Sequence, residues 1–263
     1  MSELFYKTYG EGEIDVLMIH GWASSHTMWK NVHPHLENAK AWGIDLPGFG
    51  KTPIGDSDLT IDAHIESVIE FCDEHVKPQM IIAHSMGGLI TLKMLHKRPD
   101  LAKQVVLICP VVTGQFTTFG SLARDVMQSD FGANVLRATK SLWPGIQNAW
   151  LLSATAPLLN NNPELAEQMK TNFMATTPEA GIEGIISIAN TDTRDYLDDM
   201  TQTTLVCITN GDTTVPQSEG MTAAGHIPDA KLALFENSRH HPMDEENEKF
   251  VKVFRGFVSQ FGL

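Results

Sequence analysis

The chain has 263 residues, 42% hydrophobic and 19% charged, which excludes a disordered or fibrous protein and leaves room for one large domain or two small ones around a sizeable core. A net charge of -13 argues against nucleic acid and anionic membranes as partners, while neutral or cationic small molecules stay easy to accept. No apolar run reaches the roughly 18 residues that span a bilayer, and "MSELFYKTYGEGE" lacks a basic stretch followed by an apolar one, so neither a membrane span nor a secretory signal is expected.

In chain order, "LFYKTYG" 4–10 reads as an antiparallel edge strand turned back by Gly10 to Gly12. "DVLMIH" 15–20 and "AWGID" 41–45 are near-continuous apolar runs, the pattern of parallel strands covered on both faces. "PGFGKT" 47–52 is not a phosphate loop, because Asp45 stands where the first glycine would be required and Pro53 follows at once; it reads as a turn held by Asp45. Residues 60–76 form a helix capped by Thr60, with apolar residues at 61, 65, 68, 69 and 72. The strand "MIIAHS" 80–85, the helix 88–99 and the strand "QVVLIC" 104–109 follow.

Strands then stop: 113–202 carries helical patterns only, before "TLVCIT" 204–209, "KLALFE" 231–236 and an amphipathic helix at 247–261 resume the alternation. The expected fold is α/β, a doubly wound, mostly parallel sheet with a core of 1–112 and 203–263 and a helical cap at 113–202. Such an insertion would lie over the carboxyl edge of the sheet, where open α/β sheets bind ligands. Cys72, Cys109 and Cys207 are widely spaced and read as reduced, buried thiols of a cytoplasmic protein. No His, Cys, Asp or Glu cluster has metal-ligand spacing, so neither a metal nor a cofactor is expected.

The stretch "AHSMGG" 83–88 lies between a strand and a helix. Small residues two before and two after Ser85 are what a tight strand-to-helix elbow needs if it is to push a serine out at the top of a sheet. Ala83 replaces the glycine usual at the first of these positions, and Gly87 fits the second. A serine hydroxyl is a weak nucleophile that needs a base, and the base needs an acid to orient it. "NGDTTVP" 210–216 places Asp212 just past the strand 204–209, and "NSRHHPMDEENEKF" 237–250 places His240 or His241 just past 231–236. Both positions fall on the sheet edge from which Ser85 would emerge.

Together, "HGW" 20–22, "DLPGFGKT" 45–52, "AHSMGGL" 83–89, "NGDTTVP" and "RHHPMDEENEKF" resemble the α/β-hydrolase family over nearly the whole chain. Within it, "HGWASSHTMW" and "DLPGFG" are most similar to carboxylesterases of the pimeloyl-carrier-protein methyl ester esterase kind. The resemblance implies His240 as the base, since proline stands two residues after it, and Asp212 as its partner. It also implies an oxyanion hole from the backbone N–H groups of Trp22 and Met86, with the Trp22 indole free to wall an acyl pocket. His20 and His84 are expected to be structural.

The implied activity is carboxylester hydrolysis through an acyl-enzyme, on small, uncharged, short-acyl esters. Phe116, Phe119, Phe131, Leu142, Trp143, Trp150, Leu151, Leu152 and Phe173 in 113–202 offer an apolar acyl or alcohol pocket, Trp143 and Phe116 being the expected substrate contacts with Trp22. An acyl carrier protein is the alternative partner; it would need a basic cap surface, and 113–202 offers only Arg124, Arg137, Lys140, Lys170 and Arg194. The same triad also serves thioester hydrolysis, C–C hydrolysis and perhydrolysis, and a ligand receptor that retains slow turnover would carry it too.

Overall fold

A computed structural model describes residues 3–117, 120–156, 158–159 and 161–263. In chain order its elements are β1 (Tyr6–Tyr9), β2 (Ile14–Ile19), β3 (Ala39–Ile44), α1 (Ile61–His75), β4 (Met80–His84), α2 (Met86–Lys97) and β5 (Gln104–Ile108). Six helices follow: α3 (Gly120–Gln128), α4 (Asp130–Ala138), α5 (Trp143–Thr155), α6 (Pro163–Met174), α7 (Pro178–Ala189) and α8 (Arg194–Leu197). The chain ends with β6 (Thr203–Thr209), α9 (Gln217–His226), β7 (Ala230–Phe235), α10 (Pro242–Glu245) and α11 (Asn247–Val258).

Among the described residues the strands form one sheet in the order β1-β3-β2-β4-β5-β6-β7, parallel except for β1. The alternation of side chains along each strand divides its residues between two cores. Leu17, Ile19, Ile81 and Ala83 face α1 and α2, whereas Val16, Met18, Met80 and Ile82 pack in the cluster that holds Phe250 and Phe254 of α11. Removing one such fully buried side chain down to alanine costs about 2–5 kcal/mol, so both layers hold the central strands in register. Thr60 caps α1 as its position predicts, accepting from the Ala63 N–H at 3.1 Å.

Two strand expectations change. The turn at Gly10 to Gly12 does not pair β1 with the next strand; β1 lies against β3, and β3 separates it from β2. The glycines are needed because that turn runs against β3: a Cβ on Gly10 would meet the Ala39 carbonyl oxygen at 2.4 Å, and one on Gly12 would overlap Asn38. At the other edge, β7 is not covered on both faces, and Leu232 and Leu234 are exposed. Its apolar sequence mimics that of an interior strand.

Candidate active site

Only Ser85 separates β4 from α2. It is held at φ 51°, ψ -116°, a backbone state that non-glycine residues rarely adopt. The surroundings fix it there: the Ser85 N–H donates to the Ile108 carbonyl at 3.0 Å, and its own carbonyl accepts from the N–H groups of Gly88 at 2.9 Å and Val111 at 3.2 Å. A Cβ on Gly87 would sit 2.3 Å from the Ile19 carbonyl oxygen, and one on Gly88 2.8 Å from the Pro110 ring, so the strand-to-helix corner closes only with glycine at both. The loop after β2 also passes directly against the serine, since a Cβ on Gly21 would lie 3.0 Å from the Ser85 Cβ. Ala23 and Cys109 are two further non-glycine residues at positive φ, and both lie at this site, as expected where a fold positions a site by local strain.

His20 and Asp45 hold the loop at 20–26. The Leu46 N–H donates to His20 Nε2 at 3.0 Å, which leaves the proton on Nδ1 to donate to the Gly21 carbonyl at 2.7 Å. Asp45 accepts from the N–H of His26 at 2.6 Å and of Lys51 at 2.9 Å, and pairs with His26 Nδ1 at 2.9 Å. This is the turn-holding role its position predicts.

Asp212 lies just past β6 and His240 just past β7, and the two meet: His240 Nδ1 donates to Asp212 Oδ2 at 2.7 Å. Asp212 Oδ1 accepts from the N–H groups of Thr214 and Val215, each at 2.8 Å. Burial pushes the Asp212 carboxyl up, but the charge and hydrogen bond of His240 and the two backbone donors outweigh it and hold the group below the usual range. His84 Nε2 donates to the His240 carbonyl at 2.9 Å and anchors the loop, a structural role. His241 stacks on His84, with ring centroids 5.0 Å apart, and burial together with the nearby His240 pushes it down to about 3. Of the adjacent histidines, only His240 holds the carboxylate.

Ser85 and His240 line a cavity of about 560 Å³ together with Trp22 and Phe116, while Asp212 lies outside the lining, against His240. Met86 opens α2 directly after the serine and is fully buried. Trp22 both walls the cavity and ties it to α7, its Nε1 donating to the Gly181 carbonyl at 2.9 Å while its ring packs on Trp150 and Phe173.

Trp143 is 3% exposed, packs on Phe173 and presses against Gly181, and does not line the cavity; Trp150 does. Phe131 and Leu152 are 80% and 71% exposed rather than pocket residues, and Phe119 lies outside the described residues. Met28, Leu165, Gln168, Asn172 and Ile188 also line the cavity, and no local pattern marks them.

Cys109, Asp212 and His240 bring donor atoms within 4.8 Å of one another, a grouping invisible in the sequence spacing. The thiol is held protonated, burial and the Asp212 charge pushing it up, and the other two groups already satisfy each other. As it stands this is a hydrogen-bonded cluster.

The buried imidazoles predict acid lability. Burial lowers His20 and His84 and takes His64 and His241 from 6.5 to about 3. A histidine whose folded pKa is depressed takes up a proton on unfolding, so stability is present above the unfolded value and is lost as pH falls toward the folded one. At pH 5, His64 and His241 each cost about 2 kcal/mol in this way. Asp244 works in the opposite sense: burial raises it from 3.8 to about 6, so its contribution falls as pH rises through that window. The imidazoles outnumber it. The urea midpoint should therefore drop between about pH 7 and pH 5, and an unchanged midpoint would show that these rings accept protons in the folded state.

A family model described as "alpha/beta hydrolase fold" matches residues 16–247. The pimeloyl-[acyl-carrier protein] methyl ester esterase of Vibrio vulnificus is 23% identical over 264 residues, covering 98% of this chain and 99% of the relative. The protein of the same description from Neisseria meningitidis is 25% identical over 250 residues, covering 92% and 93%. Among solved structures, a thermophilic esterase from Thermogutta terrifontis superposes with a TM-score of 0.82 at 21% identity, covering 98% of this chain and 93% of that one. An esterase from Exiguobacterium antarcticum gives 0.81 at 20% identity, covering 98% and 96%. With its β4–Ser85–α2 elbow, its sheet order and a match that runs over most of its length, the chain belongs to the alpha/beta hydrolase fold family.

Proposed function

We propose that the chain is a serine carboxylester hydrolase for small esters that carry no negative charge. The reading rests on one observation above all: Ser85 and His240 share a cavity, while Asp212 holds the far nitrogen of His240. His240 Nε2 takes the hydroxyl proton as Ser85 attacks the ester carbonyl, and Asp212 compensates the imidazolium. The N–H groups of Trp22 and Met86 receive the oxyanion, each contributing roughly 3 kcal/mol. The proton passes to the leaving alcohol, and His240 then activates water to release the acid. The helices between β5 and β6 serve as the cap, with Trp22, Phe116 and Trp150 as walls of the acyl or alcohol site.

A carrier-linked methyl ester is the second reading, supported by the relatives' descriptions over nearly the full chain. The surface charge favours the small ester. Arg137 pairs with Glu183 at 2.9 Å, Lys140 with Glu179 at 3.8 Å, Lys170 with Glu167 at 3.5 Å and Arg194 with Asp192 at 2.7 Å, and Arg124 donates to the Ala189 carbonyl. Arg137, Lys140, Lys170 and Arg194 are compensated by carboxylates and Arg124 rests on a neutral carbonyl, which leaves little positive field to attract an acidic carrier. The deciding measurement is kcat/KM for pimeloyl-carrier methyl ester against that for p-nitrophenyl acetate. The expected result is ready turnover of the acetate and a carrier rate that charge reversal of Arg137 and Lys140 leaves unchanged. A strong carrier preference abolished by the reversal would establish the second reading, and turnover of neither ester would refute both.

A further inference from the structure

One corner of the cavity is polar in a way that ester cleavage does not use. Asp244 on α10, His241 just before it and Gln168 on α6 all line the cavity. The other side-chain atoms of Asp244 and Gln168 are tied down: Asp244 Oδ1 accepts from Asn31 Nδ2 at 2.7 Å and Gln168 Nε2 donates to the Thr27 carbonyl at 2.6 Å, while the Asp244 carbonyl accepts from Asn162 Nδ2 at 3.1 Å. These bonds fasten α6 and α10 to the segment 26–31 and fix which end of each side chain is free. What remains is Asp244 Oδ2, Gln168 Oε1 and His241 Nδ1, each buried and without a hydrogen-bond partner. The Asp244 side chain is 2% exposed, and its Oδ2 stands 3.8 Å from His241 Nδ1, too far for a hydrogen bond. A buried carboxylate oxygen left unpaired is costly, and where its residue lines a cavity a donor from outside the chain can relieve that cost.

We propose that this corner binds a hydrogen-bond-donating group of the substrate, an ammonium or a hydroxyl carried elsewhere on the ester, between Asp244 and Gln168. As a statement about a substrate it rests on the esterase reading above; as a statement about a binding site it does not. Ammonium ranks above hydroxyl. With its carboxyl at about 6, Asp244 is largely ionised at neutral pH. The nearby charges are matched in pairs, Lys30 with Glu164 at 2.5 Å and Arg239 beside Glu245, which leaves Asp244 without a cation of its own. Arg239 lines the same cavity, beside Glu245, which accepts from its N–H. An ammonium supplies both the missing donor and the missing countercharge, whereas a terminal carboxylate meets the like charge of Asp244 and the acceptor oxygen of Gln168.

The test compares p-nitrophenyl esters of unbranched acids ending in methyl, hydroxyl, ammonium or carboxylate, across a range of chain lengths at neutral pH. At the length that reaches the corner, the ammonium ester should exceed its methyl counterpart in kcat/KM by on the order of tenfold or more, with hydroxyl between them and carboxylate below. Asp244→Asn, which keeps the Oδ1 acceptor, should lower the ammonium ester to the level of the hydroxyl one. Gln168→Leu should shrink both preferences. A methyl ester as good as the ammonium ester at every length, or an ammonium preference that survives Asp244→Asn, overturns the proposal. If no ester is turned over, the esterase reading fails by itself, and calorimetric titration of the full chain with hexylammonium chloride decides the corner. Binding that Asp244→Asn abolishes supports it, and absence of binding, or binding that the variant retains, overturns it. Thermal melts of both variants confirm that a folded protein is being compared.

Discussion

Replacing Ser85 by alanine should bring ester hydrolysis down to background, a loss on the order of 10⁵-fold or more, while the fold persists. Four groups fix the elbow through the backbone of residue 85, namely the Ile108 carbonyl and the N–H groups of Gly88, Leu89 and Val111, and alanine retains every one of these bonds. Its Cβ occupies the same space beside Gly21. The variant therefore removes the attacking oxygen and little else. An organophosphonate should add its mass at Ser85 alone: Ser24 also lines the cavity, but it does not sit at the strand-to-helix elbow and its hydroxyl donates to Met28 Sδ at 3.4 Å. Normal turnover by the alanine variant, or labelling at another serine, would remove Ser85 from the mechanism.

His240 and His241 should behave very differently despite being neighbours. Loss of a triad histidine costs on the order of 10⁴-fold or more, and His240→Ala should fall in that range. His241→Ala should lose far less. The reason lies in what each ring touches: His240 Nδ1 is bonded to Asp212, which fixes the tautomer and leaves Nε2 unprotonated to accept a proton. The Nδ1 of His241 has no partner, and with its pKa at about 3 the ring is a poor proton acceptor near neutrality. If His241→Ala proves the more damaging variant, the base has been assigned to the wrong residue.

The elements that carry the proposed chemistry were legible because their signals are local. A strand, a small residue, a serine and a glycine in succession encode the β4–Ser85–α2 corner within about ten residues, and the Gly87 and Gly88 clearances show why no other spacing would close it. Asp212 and His240 were placed for the same reason: each follows directly on an apolar strand, and parallel strands in one sheet bring their carboxyl ends to one edge. Sequence alone thus determined the strands of the sheet interior, the helices α1, α2 and α11, and the residues expected to react.

Tertiary structure alone decided the rest. It set β1 beside β3 rather than β2, because backbone pairing across a sheet depends on which edge is open and not on the nearest turn. It left one side of β7 open, because burial of an edge strand depends on what packs over it. Trp143 and Trp150 sit on the same helix and look alike in sequence, yet one fills the space behind Gly181 and the other faces the cavity, an outcome set by how α5 packs against α6 and α7. The ion pairs that neutralise Arg137 and Lys140 join helices far apart in the chain. The unpaired atoms of Asp244 and Gln168 exist only because α6, α10 and the segment 26–31 converge. The residues proposed to react sit at positions that local backbone geometry dictates, whereas selectivity is a property of surfaces assembled from distant segments, each meeting the others only once the core has closed.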